Sequence, residues 1–128
     1  MTVRIVRLGQ PRQPNEGTRL GTVRRPPRGV RKQDFARRDW YDVWFPVLAP
    51  SVPTMKLGLG AKTERQWKAF ARKYRAEMAT PAARQSLDVL AALSHHANFS
   101  VGCYCEDEAH CHRSLLRELL LDRGASAA

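Results

Sequence analysis

The sequence has no run of about 18 apolar residues, so no segment of it reads as crossing a membrane. Its first residues, MTVRIVRLGQ, lack the long apolar core of a secretory leader, because arginines interrupt them. Cysteine is scarce: there are three in 128 residues, and two of them are separated by a single residue. An odd, closely spaced set argues against a disulfide framework and makes a reducing cytoplasm the expected setting. No internal repeat occurs, which excludes a solenoid. Acidic residues are also few, 12 against 22 Lys and Arg, for a formal net charge of +10.

What is there is globular. The hydrophobic fraction of 43% is that of a folding chain, and the length suits one domain. The basic surplus is uneven. Residues 1–75 hold 18 Lys and Arg against 5 Asp and Glu, and residues 76–128 hold 4 against 7. A field of this sign favours polyanions: a phosphate-bearing small molecule or a nucleic acid.

Pattern then divides the chain. TVRIVRL (2–8) alternates as a strand, and GQPRQPNEG (9–17) is a loop, expected to be flexible. Residues 19–23 begin extended, and Pro26–Pro27 bars a helix after them. YDVWFPVLAPSVP (41–53) reads as a strand candidate with Pro46 at an edge or end, and Trp40 and Trp44 read as core. Thr63 followed by Gln66 is a capping box, and Trp67, Phe70, Tyr74 and Met78 recur at helical spacing. Thr80–Pro81 starts a second helix. NFSVGCYC (98–105) is a strand, and HRSLLRELLLDRG is a closing helix stopped by Gly124. Strands alternating with helices predict a single three-layer α/β domain over 1–124, with a mainly parallel sheet flanked by helices and a frayed tail at 125–128.

The chemistry-bearing residues crowd into VGCYCEDEAHCHRSLL, at a strand-to-helix junction where α/β folds bind ligands. Three readings compete. In the first, junction 103–114 forms an anion pocket for a phosphate or nucleotide-like molecule, open to enzymatic use. Arg113, Arg28, Lys32 and Arg25 would grip the anion, and Cys105, Cys111 and His112 are the candidate catalytic residues. The phosphatase loop Cys-x5-Arg is absent, since Cys105 precedes Arg113 by eight positions and Cys111 precedes it by two. In the second, the basic first part makes a nucleic-acid-binding module. In the third, Cys103, Cys105, Cys111 and His110 bind a metal, with zinc as the candidate. The spacing C-x-C-x5-C-H departs from the usual zinc knuckles, so no cofactor is required by the sequence. The acidic Glu106, Asp107 and Glu108 fit the anion reading least.

These residues also carry a resemblance. The Cys-His-Arg ending, RRPPRGVRKQDF, DVWFPVLAPS and ERQWKAFARKYRAEM occur in the order found in the bacterial family called domain of unknown function 488. The similarity spans most of residues 19–124. It implies a Rossmann-like α/β domain, and it singles out Arg28, Gly29, Lys32, Cys105, Cys111, His112 and Arg113 as motif positions. It implies no reaction. The GQPRQPNEG stretch, Arg25 and Pro26 depart from the pattern.

Overall fold

Phe99, Val101 and Cys103 alternate along β4 (Phe99–Cys103), a strand buried at every residue. In the computed structural model, which describes residues 1–128, β4 is an inner strand of one sheet. It lies between β1 (Val3–Arg7) and β2 (Thr18–Gly21), and a short β3 (Val43–Trp44) closes the far edge. The order is β1-β4-β2-β3 and every pair is parallel. Register sets Val101 opposite both Ile5 and Leu20, which places the apolar side chains on one face.

That face packs against α2 (Glu64–Met78), α3 (Pro81–Leu93) and α4 (His112–Asp122). The helices form as their spacing predicts. Thr63 Oγ1 accepts the Gln66 N–H while the Gln66 side chain reaches back, and Phe70, Tyr74 and Met78 are buried along one stripe. Each such side chain contributes about 1.5–3 kcal/mol on burial. Tyr74 also donates from its hydroxyl to the Leu48 carbonyl at 2.7 Å.

The opposite face is covered by loops rather than helices. The ring of Tyr41 lies over Gly21, where an added Cβ would stand 2.4 Å from it. Beside it, Arg19 forms a two-toothed pair with Glu16, at 2.7 and 3.0 Å, with both side chains 1% exposed. Ser100 donates to the same carboxylate, and Arg19 also donates to the carbonyls of Gln10 and Asp39. The 9–17 loop is thereby tied down at several points.

The structure departs from the sequence pattern in three places. The strand expected over 41–53 shrinks to Val43–Trp44. Pro46 starts a 3₁₀ turn, and Ser51 then caps a helix, α1 (Val52–Leu59). Trp44 is 44% exposed there and donates only to the Val23 carbonyl, so it is not core. β4 ends at Cys103, which leaves Cys105 in the following loop. The tail expected to fray lies along β1: Ala127 bridges Val3, Ala128 N–H donates to the Val3 carbonyl, and Ser126 N–H donates to Ser94 Oγ. The free edge of β1 offers the partners that hold it.

Candidate functional site

The carboxyl end of β4 opens into a cavity of about 590 Å³. Cys103 is delivered by the strand end, Cys105 by the loop, and Cys111 and His112 by the start of α4. All four line the cavity floor. Cys103 Sγ lies 3.7 Å from Cys105 Sγ, and Cys111 Sγ lies 3.7 Å from His112 Nδ1. One ligating atom each from Cys103, Cys111 and His112 fall within 4.8 Å of one another. All three residues are buried.

His112 is oriented by the segment that leaves β2. Its Nε2 sits 2.8 Å from the Thr22 carbonyl. A carbonyl only accepts, so Nε2 carries the proton and Nδ1 turns a lone pair toward Cys111. The three thiols share protons as a unit. Hydrogen bonds from Cys103 and then Cys105 hold the Cys111 thiol far below its usual range despite burial. Cys103, hydrogen-bonded with Cys105 and Cys111 and buried as well, is pushed far up.

Each acidic residue of the loop has a local partner. Glu106 lies 3.6 Å from Arg7, an exposed contact of little energetic weight. Asp107 accepts the Ala109 N–H and pairs with His110 Nδ1 at 2.7 Å. Glu108 pairs with Arg117 at 2.9 Å. The carboxylates that sat badly beside an anion site are therefore spent on shaping the loop. His110 lines the cavity mouth, but its ring is held by Asp107 and lies edge-on to Trp67.

Arg113 is not among the residues that line the cavity. It is 4% exposed, and Nη2 donates to the Cys105 carbonyl at 2.6 Å. Its Nε has no partner, and no carboxylate pairs with it. The basic loop divides similarly. Arg24 donates to the carbonyls of Pro46, Ala49 and Pro50, which ties the loop to the turn before α1. Tyr104 Oη donates to the Arg25 carbonyl at 2.8 Å. Arg25 and Arg28 line the cavity with exposed guanidinium groups that make no ion pair or hydrogen bond. Between them and Lys32, Gly29 turns the chain at φ +71°, a conformation that favours glycine. Lys32 is exposed and lies outside the cavity lining.

Of the sequence candidates, the cavity brings together Cys103, Cys105, Cys111, His110, His112, Arg25 and Arg28, and leaves out Arg113 and Lys32. It adds residues that sequence reasoning did not place there: Trp40, Tyr104, Phe70, and the pair Met55 and Leu59 from α1. The i, i+4 spacing of Met55 and Leu59 after Ser51–Val52–Pro53 was the available signal.

Residues 3–124 fit the family model described as DUF488-N3a, the active DUF488-N3 subclade. No curated protein and no solved structure matches the chain.

Proposed function

The chain belongs to the DUF488-N3a family, and from its cavity we propose that the protein binds a small phosphate-bearing, nucleotide-like molecule and presents it to the Cys/His cluster. The observation that carries this reading is the pair of uncommitted guanidinium groups, Arg25 and Arg28, on the same cavity as an apolar wall. Arginines without a protein partner are free to grip phosphate through two parallel N–H donors. Trp40, Phe70, Met55 and Leu59 supply the apolar surface on which an organic ring rests. A volume of about 590 Å³ accommodates a ligand of nucleotide size. Any reaction then falls to the floor, where Cys105, Cys111 and His112 are the groups able to donate electrons or move protons. Arg113 contributes by holding the loop that carries Cys105.

Equilibrium binding of nucleoside monophosphates and diphosphates, with the bare nucleosides as controls, tests this. Nucleotides are expected to bind at least tenfold more tightly than nucleosides, and Arg28→Ala is expected to remove that difference. Equal affinity for both would sink the reading. A single-stranded oligonucleotide bound far more tightly than any mononucleotide, with steep loss in salt, would point instead to a nucleic-acid-binding module. The exposed Arg25, Arg28, Arg31, Lys32, Arg37 and Arg38 favour that alternative, though Asp34 already neutralises part of the field by pairing with Arg31 and Arg37.

A further inference from the structure

We infer that Cys103, Cys105, Cys111 and His112 together hold one thiophilic divalent cation of the zinc class at the floor of the cavity. The inference goes beyond ligand binding and does not depend on which anion, if any, the cavity takes.

Geometry supplies the first argument. Around a tetrahedral zinc with metal–sulfur bonds of about 2.3 Å, two sulfurs stand about 3.8 Å apart, and a sulfur and a nitrogen about 3.6 Å apart. The sulfurs of Cys103 and Cys105 are 3.7 Å apart. Cys111 Sγ and His112 Nδ1 are also 3.7 Å apart. Cys103, Cys111 and His112 present one ligand atom each within a mutual 4.8 Å. Cys105, half-buried at the cavity side, stands 3.7 Å from Cys103 Sγ but outside the mutual 4.8 Å of the other three, and closes in as the fourth ligand when the metal binds. The ligands come from a strand end, a loop and a helix start, so they converge through the fold and not through a local knuckle.

The surroundings supply the second. Metal-binding histidines commonly donate their other ring N–H to a carbonyl or carboxylate, which fixes the ring and the tautomer. His112 does so to the Thr22 carbonyl at 2.8 Å and leaves Nδ1 free as the ligand. His110 fails the same test, because its Nδ1 is engaged by Asp107 and the ring is largely exposed.

Charge supplies the third. Arg113 is 4% exposed with no carboxylate partner and an orphaned Nε. A buried cation needs a compensating negative charge. Three thiolates and one neutral imidazole around a divalent cation carry a net charge of −1, and Arg113 sits directly behind Cys105 to receive it. On binding, each thiol that ligates releases its proton to solvent, and no group changes oxidation state.

The test uses the full chain under reducing conditions. One Zn²⁺ per chain is expected by native mass spectrometry, with proton release on titration. Co²⁺ should give a thiolate-to-cobalt charge-transfer absorption. Cys111→Ser and His112→Ala are expected to lower zinc affinity at least a hundredfold, and Arg113→Gln by about 10–100-fold. His110→Ala should leave it unchanged. If the cysteine variants fail to fold, wild-type stoichiometry and the His110→Ala comparison still decide. A wild-type chain that takes up no Zn²⁺ or Co²⁺ at micromolar concentration overturns the inference, as does loss of zinc in His110→Ala with retention in His112→Ala. Failure of nucleotide binding with one zinc bound leaves this site standing and removes only the anion reading.

Discussion

Arg113 Nη2 donates to the carbonyl oxygen of Cys105 at 2.6 Å, so the first turn of α4 grips the loop that precedes it. The cation is spent on backbone, not on a ligand. It sets where the Cys105 thiol stands relative to Cys103 and Cys111.

Arg113→Met should therefore weaken the fold as well as loosen the floor. A hydrogen bond to a charged group contributes about 1.5–3 kcal/mol, and losing it leaves the Cys105 carbonyl unpaired. Urea unfolding of the variant under reducing conditions should show a loss in that range. A midpoint equal to wild type would mean that Arg113 is not holding the loop.

The Glu16–Arg19 pair makes acid stability a readout. Burial pushes the Glu16 carboxyl up, but hydrogen bonds from Arg19, Ser100 and Gln13 outweigh it and bring its pKa down to about 2. A carboxyl depressed in the folded state stabilises above its ordinary range, and that stabilisation is lost as pH falls toward about 2. Glu16→Gln leaves Arg19 buried without its counter-charge, at a cost of about 3–5 kcal/mol near neutral pH. The gap between wild type and variant should narrow as pH drops below about 4.5 and close near 2. A gap that stays constant with pH would refute the assignment.

Removing the rim arginines should separate binding from folding. Arg25 and Arg28 are exposed and unpaired, so Arg25→Ala and Arg28→Ala are expected to stay within about 0.5 kcal/mol of wild type. Each should nevertheless flatten the salt dependence of phosphate-ligand binding. Calorimetric titration at two salt concentrations checks this, and an unchanged slope in the double variant would show that the rim does not meet the anion.

Tyr74→Phe tests the joint between α2 and the turn that precedes α1. The Tyr74 hydroxyl, fully buried, donates to the Leu48 carbonyl at 2.7 Å. The variant leaves that carbonyl without its partner and should cost about 1–3 kcal/mol. Thermal or urea unfolding is the measurement, and a neutral result would mean that the turn relaxes to satisfy itself.

Local pattern carried much of this fold. The capping box at Thr63–Gln66 and the spacing of Phe70, Tyr74 and Met78 specify α2 because both are properties of neighbours along one helix. The alternation in 99–103 likewise specifies β4. α1 escaped notice because aromatic and β-branched residues before it suggested a strand, and Pro46 and Ser51 had already redirected the backbone. At the site, the Cys/His/Arg cluster was legible as a cluster, but its internal assignments were not.

The sequence by itself determined that three cysteines, two histidines and an arginine crowd one strand-to-helix junction, and that a basic loop exists to face it. Those facts follow from composition and short-range spacing. Only the tertiary structure decided that His112, and not His110, turns a nitrogen toward Cys111, since that choice belongs to the Thr22 carbonyl just past the end of β2. Only it decided that Arg113 points inward while Arg25 and Arg28 remain free. Side-chain direction is set by which partner lies within hydrogen-bond reach after folding, and partners 90 positions apart, as Thr22 and His112 are, leave no mark in local pattern.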